Sequence, residues 1–299
     1  MAAPSRTASA RRTLAPLLLL AALVARGPAA HAAGPVDVLY AGSLVNLMEH
    51  AVGPAFDRAS GDTFRGFAGG SQALANQVKA KLRRADVFIS AAPAVDEALM
   101  GAANGDWIRW YVGFARSPLV IGYNASSRFA AALQSRPWYD VLTEPGMRIG
   151  RTDPKLDPKG ALTVTLMQRA ESRFGRSGLA ARVLGDAERS DQILPEETLV
   201  GRLQSGELDA GFFYSTETAE LHIPAIALPP DIAPEARYTV TILRDAPDAA
   251  AAERFVAFLL GPQGGPLLRA HGLDLTPAQI GGDAQAVPAP VLAEASAAR

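Results

Sequence analysis

The chain has 299 residues, with 29 lysines and arginines against 30 aspartates and glutamates, and it contains no cysteine. Without cysteine, disulfides, thiolate metal sites, cysteine nucleophiles and a lipid anchor attached to a cleavage-site cysteine are all excluded. The slightly acidic charge balance argues against nucleic acid or an anionic membrane surface as a partner.

The first 32 residues have the pattern of a cleaved signal peptide. A basic start (Arg6, Arg11 and Arg12) precedes an apolar run at 14–24, and Ala30-His31-Ala32 fits a signal-peptidase site. The run is shorter than the roughly 20 residues that a spanning helix needs, so we expect cleavage and no membrane anchor. Cleavage would leave 267 residues with a net charge of −5, in the periplasm. The paired arginines admit twin-arginine export, but Ala10 stands where that signal has serine or threonine, so the basic start favours the Sec route.

The rest of the chain alternates short apolar strands with amphipathic helices, which is typical of an α/β fold with mostly parallel sheets. In chain order, the pattern predicts strands at 36–40, 85–89, 117–123, 147–150, 210–214, 226–228 and 238–243, and helices at 44–59, 71–84, from Pro93, 160–174, 196–205 and 248–260. The segment 281–299 is rich in alanine and proline and is predicted to be a flexible tail.

Two places share one design, in which glycine and serine open a helix. Gly42-Ser43 follows the first predicted strand, and Gly70-Ser71 precedes the second helix. A helix start has main-chain N–H groups without partners and about half a positive charge. Serine adds a hydroxyl donor, and glycine lets an anion approach the backbone closely. Each serine alone is typical of an ordinary N-cap, but the pair predicts a cage of neutral donors for an oxyanion.

Two further candidate residues lie in the second half of the chain. Asp157 belongs to a loop rich in aspartate and proline before a helix, where aspartate is also a common turn and capping residue. Tyr214 ends a buried strand, where its hydroxyl could donate to a ligand or its ring could simply pack in the core.

The sequence contains no recognisable catalytic machinery. His50, His222 and His271 are isolated and lack a metal-binding spacing such as H-E-x-x-H. The G-x-S-x-G, G-x-x-x-x-G-K-[ST] and G-x-G-x-x-G motifs are absent. We therefore predict a binding protein with no enzymatic activity and no cofactor. An exported serine hydrolase that uses Ser43 or Ser71 is the alternative from a different class.

Several short segments follow one another in a recognisable order: Ala41-Gly42-Ser43-Leu44, Gly70-Ser71, Arg84-Ala85-Asp86-Val87, 138–142, 148–151, 156–160 and 203–210. In their order and spacing they resemble the periplasmic molybdate/tungstate-binding proteins of ABC importers, near the archaeal tungstate/molybdate-binding branch. The resemblance covers most of the mature chain.

This resemblance implies the two-lobed type II periplasmic-binding fold, with a mostly parallel sheet flanked by helices in each lobe and the ligand in the cleft between them. We expect lobe 1 at 33–117 and 238–280, and lobe 2 at 118–237. The implied partners are a molybdate or tungstate ligand and an ABC-transporter permease, and the protein is expected to be a monomer. The two oxyanions are nearly the same size, and the sequence does not separate them.

The same resemblance implies a ligand-binding set drawn from both lobes: Gly42, Ser43, Gly70, Ser71, Asp157, Glu197 and Tyr214. The contribution of Glu197, or of Glu196 beside it, would be a main-chain donor. In the archaeal branch an aspartate matching Asp157 and a glutamate both reach the metal centre. Phe213 takes the place of that glutamate here, which favours tetrahedral hydrogen bonding over six-coordination.

Asp157 poses an electrostatic problem, because a carboxylate beside a dianion is repulsive. We expect its side chain to turn away and cap the helix near Gly160, and direct contact with the molybdenum or tungsten centre is the alternative. On the same fold, sulfate, phosphate, ferric ion or a small organic anion are alternative ligands. A sensor domain is an alternative use of the same lobes.

Overall fold

A computed structural model describes residues 1–2, 33–185, 189 and 191–297. The predicted signal peptide, 1–32, lies outside these residues except for Met1 and Ala2. Residues Ala33–Arg299 form one unit of the chain. None of the helices in the described ranges is long and apolar enough to cross a membrane.

Nine strands occur in the described part of the chain: β1 (Pro35–Ala41), β2 (Thr63–Gly69), β3 (Val87–Ser90), β4 (Trp110–Tyr123), β5 (Ile149–Gly150), β6 (Ala210–Tyr214), β7 (Ala225–Ile226), β8 (Glu235–Ile242) and β9 (Asp274–Gly282). The α-helices are α1 (Val45–Leu47), α2 (Gly53–Ser60), α3 (Ser71–Lys79), α4 (Pro93–Glu97), α5 (Ala130–Ser135), α6 (Trp138–Val141), α7 (Pro158–Phe174), α8 (Leu179–Leu184), α9 (Glu196–Gln204), α10 (Ser215–Glu220), α11 (Ala249–Leu260), α12 (Gly264–Ala270) and α13 (Ala289–Ala297). A 3-10 turn (Gly42–Leu44) and a π-helical turn (Met48–Val52) make the chain from 42 to 60 continuously helical.

The strands form a sheet in the order β2-β1-β3-β8-β4-β6-β5, and β4 joins its two parts. The first part of β4 pairs with β8 and β9, as far as Pro118 opposite Glu235. From Leu119 onward, β4 pairs with β6 and β7 instead. We call the part with β1, β2, β3, β8 and β9 the large half-sheet, and the part with β5, β6 and β7 the small half-sheet.

The sheet is mixed, whereas the sequence pattern predicted mostly parallel sheets. Pairing is parallel in β2-β1-β3 and in β5-β6, but β4 and β8 run antiparallel to each other and to their other neighbours. The reason is topological, because the chain enters the small half-sheet along β4 and returns along β8. The change of partners on β4 at Pro118 is compatible with the predicted lobe bounds, which stay a prediction.

Apolar residues of both half-sheets and of the helices that flank them are buried in three core clusters. The main cluster includes β1, β3, β4 and β8 with α2 and α11, and Phe56 packs edge-to-face on Phe255 with ring centroids 5.1 Å apart. Two smaller clusters lie beneath α3 and α4, and beneath α9. This packing holds the helix starts described below in place.

The segment after Gly281 is ordered by packing as far as the structure describes it, so the predicted flexible tail is wrong up to residue 297. α13 packs on α11, and Val291 and Ala295 are buried. Val291 and Ala295 are four residues apart on α13, which places them on one side of the helix, and Val287 is buried just before the helix begins. An alanine-rich composition therefore concealed a short amphipathic pattern.

Candidate functional site

Gly42 and Ser43 lie directly after β1, at the start of the continuous helical segment. Both residues are buried. The Ser43 hydroxyl lies 3.0 Å from the hydroxyl of Tyr238 on β8, and either group can be the donor. No side-chain hydrogen bond caps this helix start, so Ser43 is not the ordinary N-cap that serine alone would indicate.

Gly70 and Ser71 form the second predicted helix start, and α3 begins at Ser71 as expected. The Ser71 hydroxyl accepts a hydrogen bond of 3.1 Å from the main-chain N–H of Ala91, and it makes no cap on α3. Gly70 has φ −58° and ψ 128°, a conformation that any residue adopts. Glycine is therefore needed here for its lack of a side chain, because a Cβ on Gly70 would lie 2.7 Å from the carbonyl oxygen of Leu156.

Asp157 is the N-cap of α7, which confirms the predicted cap. Its Oδ1 accepts a hydrogen bond of 2.7 Å from the main-chain N–H of Lys159. The side chain is not turned out to solvent, however, because Asp157 is buried and its Oδ2 would lie 3.2 Å from a Cβ on Gly70. One carboxylate oxygen thus caps the helix while the other faces the second helix start.

Tyr214 ends β6 next to the other site residues, and its ring meets that of Tyr238 edge-to-face with centroids 6.2 Å apart. The Tyr214 hydroxyl is buried and has no hydrogen-bond partner among the described residues. Burial raises its pKa well above the usual range, and the charges of Asp157, Glu196 and Glu217 raise it further. The phenol is therefore a neutral donor at any physiological pH.

A lysine that the sequence analysis did not select lies at the centre of this site. Lys159, on the first turn of α7, is fully buried. Its ammonium group donates to Glu217 Oε1 at 2.8 Å and forms an ion pair with Glu196. We call Asp157, Lys159, Glu196 and Glu217 the buried charge cluster.

The charge cluster contains three carboxyl groups and one ammonium group. Burial alone would lower the pKa of Lys159, but the charges of Glu196, Glu217 and Asp157 raise it above its usual value, so the lysine stays charged. Burial raises the pKa of Glu196 well above its usual range, against the opposing effect of Lys159. Burial likewise raises the pKa of Asp157.

Glu197 lies apart from the charge cluster, whereas the ring of Phe213 borders it, with the Lys159 ammonium nitrogen 5.7 Å from the ring centroid. The Glu197 side chain is exposed, whereas its neighbour Glu196 points inward and is buried. Phe213 packs with Leu199 and Leu203 in the core beneath α9. The carboxylates beside Lys159 come instead from the first turns of α9 and α10, a position that the sequence pattern alone does not reveal.

Contacts between the half-sheets bring these helix starts to one place. The main-chain N–H of Ala73 on α3 donates to the carbonyl of Leu156 at 3.0 Å, and Glu196 reaches Gly42. The starts of α3, α7, α9 and α10 and the 3-10 turn at Gly42 are therefore neighbours. In the described chain, no group of three or more His, Cys, Asp or Glu residues is arranged to hold a metal ion.

The arrangement offers donors and buried charge but no nucleophile–base pair at either serine. The partners found for the two serine hydroxyls are a tyrosine hydroxyl and a main-chain N–H, and neither is a general base of the kind that activates a serine. The fold and the site therefore bring helix starts, neutral donors and buried charge together where the two half-sheets meet.

The chain belongs to the bacterial extracellular solute-binding protein family, whose model matches residues 36–274. It is 32% identical over 195 residues to a Haloferax volcanii protein named as a molybdenum-binding protein of an ABC transporter. That match covers 65% of this chain and 59% of the relative. It is 27% identical over 263 residues to the molybdate/tungstate-binding protein of Pyrococcus abyssi, covering 72% of this chain and 76% of the relative.

Solved structures show the same fold. The periplasmic molybdate-binding protein of Azotobacter vinelandii matches with a TM-score of 0.64 and 19% identity, over 81% of this chain and 99% of that one. The sulfate-binding protein of Mycobacterium tuberculosis matches with a TM-score of 0.60 and 16% identity, over 89% and 92% of the two chains. These are type II periplasmic binding proteins, so the predicted fold class is confirmed.

Proposed function

We propose that this protein captures molybdate or tungstate outside the cytoplasm and delivers it to the permease of an ABC importer. The observation that carries the proposal is the meeting of two glycine–serine helix starts with the unpartnered Tyr214 hydroxyl in one buried place. Main-chain N–H groups at helix starts bind oxyanions, and the relatives named for molybdenum or for both oxyanions support this ligand class.

Within this proposal, Gly42, Ser43, Gly70 and Ser71 hold the ligand from the large half-sheet. Tyr214 donates its hydroxyl from the small half-sheet, and Asp157 caps α7 rather than contacting the metal centre. Capture involves no covalent chemistry. The two halves close on the anion by bending where β4 passes from one half-sheet to the other and the chain returns into β8, and the closed form docks on the permease as a monomer. The signal peptide would direct export and be cleaved after Ala32 in the course of it.

The proposal predicts strong stabilisation by the right oxyanion. Purified mature protein should melt several degrees higher with molybdate or tungstate, because a ligand at 1,000 times its dissociation constant adds about 4 kcal/mol to the free energy of unfolding. Sulfate and phosphate at the same concentration serve as matched controls, and titration calorimetry then gives the affinities. Shifts with sulfate or phosphate but with neither metalate would contradict the proposed ligand while leaving the fold unaffected.

A further inference from the structure

Glu196 occupies the space that the first glycine leaves open. It is the first residue of α9 and is buried. A Cβ on Gly42 would overlap Glu196 Oε2 and would lie 3.1 Å from the carboxyl carbon. Glycine at this position permits a close approach to the main chain, and in this structure the group that makes the approach is a carboxylate of the same protein.

Lys159 holds Glu196 in that place. The ammonium group contacts Glu196 and Glu217, and its other charged neighbour is Asp157. The single positive charge of Lys159 therefore compensates three buried carboxyl groups that are removed from water. Adding a dianion to this set without any other change would place further negative charge where it is poorly solvated, which is strongly unfavourable.

An oxyanion against Gly42 and this conformation of Glu196 exclude each other, both by space and by charge. We propose that Glu196 is a built-in competitor of the ligand: binding of the oxyanion displaces its carboxylate from Gly42 and replaces it beside Lys159. The inference rests on the proposed capture of an anion in this cleft. In this exchange Lys159 is the counter-charge of the bound anion. Glu196 lowers the affinity for the anion, because the anion must displace it.

The remaining groups of the site fit this exchange. Glu217 keeps its hydrogen bond to Lys159 and also accepts from the main-chain N–H of Tyr214 at 2.7 Å, so it stays in place when Glu196 leaves. The Tyr214 hydroxyl, which Glu196 does not satisfy, has no partner among the described residues and is free to donate to the incoming anion.

Removing the competing carboxylate should tighten binding. We expect Glu196→Ala and Glu196→Gln to bind molybdate or tungstate about tenfold more tightly than the wild type by titration calorimetry. Glu207→Ala and Glu207→Gln are the matched controls, because Glu207 is an exposed glutamate just after the same helix, and they should leave the affinity unchanged. Weaker binding by either Glu196 variant would overturn the inference, since it would make Glu196 a donor or a direct ligand.

A second measurement needs no ligand. The chain has no cysteine, so a protein with two introduced cysteines, at the exposed Leu82 and Arg202, can be spin-labelled at both positions. The distance between the two labels reports how far apart the two halves are. In the absence of any anion, Glu196→Ala should shift the distances towards an open form relative to the wild type. Identical distributions would overturn the inference. A wild type that binds neither metalate would instead contradict the proposed function, so the two failures are distinguishable.

Discussion

Replacing Lys159 by methionine is expected to lower the free energy of unfolding at neutral pH by about 3–5 kcal/mol, because removing one partner of a buried ion pair leaves the other charges uncompensated. Methionine keeps most of the length of the lysine side chain, so the effect of packing is small. Glu196 and Glu217 would lose their common cation. The variant should also lose oxyanion binding, since the ligand would have no counter-charge.

The loss of stability in Lys159→Met should shrink as the pH falls. Burial raises the folded-state pKa values of Glu196 and Asp157, and without the ammonium group nothing opposes this rise, so the folded state binds protons more tightly than the unfolded state and gains stability at lower pH. Urea unfolding at a series of pH values measures this. Lys155→Met, at an exposed lysine of the same loop, should change stability by less than about 0.5 kcal/mol. A Lys159→Met protein as stable as the wild type at neutral pH would refute the charge cluster.

The second large effect is expected from Gly70→Ala, which should weaken oxyanion binding about tenfold to a hundredfold. A methyl group on Gly70 would lie 2.7 Å from the main-chain oxygen of Leu156, and that oxygen also accepts the hydrogen bond from Ala73 that links α3 to the loop before α7. Backbone atoms cannot rotate away, and overpacking of this kind costs about 1–3 kcal/mol. The strain falls on the closed form, in which the two halves touch.

Gly70→Ala should fold normally without ligand, because its backbone angles suit alanine. Gly201→Ala on α9 is the control, since a methyl group there meets no atom within 4 Å, and its affinity should equal that of the wild type. Titration calorimetry with tungstate compares the three proteins. Unchanged affinity in Gly70→Ala would show that the two helix starts do not approach each other when the ligand binds.

The main elements could be predicted because their signals are local. The strand at 210–214 and the helix start at Ser71 were predicted at their observed positions, since a short apolar run and a glycine–serine start are visible in the sequence. β2 was missed because this edge strand has two glycines and is mostly exposed, so it lacks the apolar alternation of a half-buried strand. β9 was missed because it contains a proline and two glycines and has no buried residue, so it also lacks a regular apolar alternation.

The charge cluster could not be predicted because its members become neighbours only through the fold. Lys159 and Glu217 are separated by 58 residues, and a lysine at a helix start or a glutamate three residues after a strand is normally exposed. Burial of a charged residue leaves no local pattern in a sequence. One signal was available: a lysine directly after Asp157-Pro158, in the loop already chosen for its aspartate, was a candidate partner for that carboxylate.

Diffraction from crystals grown with tungstate, recorded at the tungsten absorption edge, tests the central claim most directly. We expect one strong anomalous peak enclosed by Gly42, Ser43, Gly70, Ser71 and Tyr214, with the Glu196 carboxylate moved away from Gly42 and four oxygen atoms around the metal. A peak elsewhere on the protein, or none in crystals of protein shown to be folded, would contradict the account.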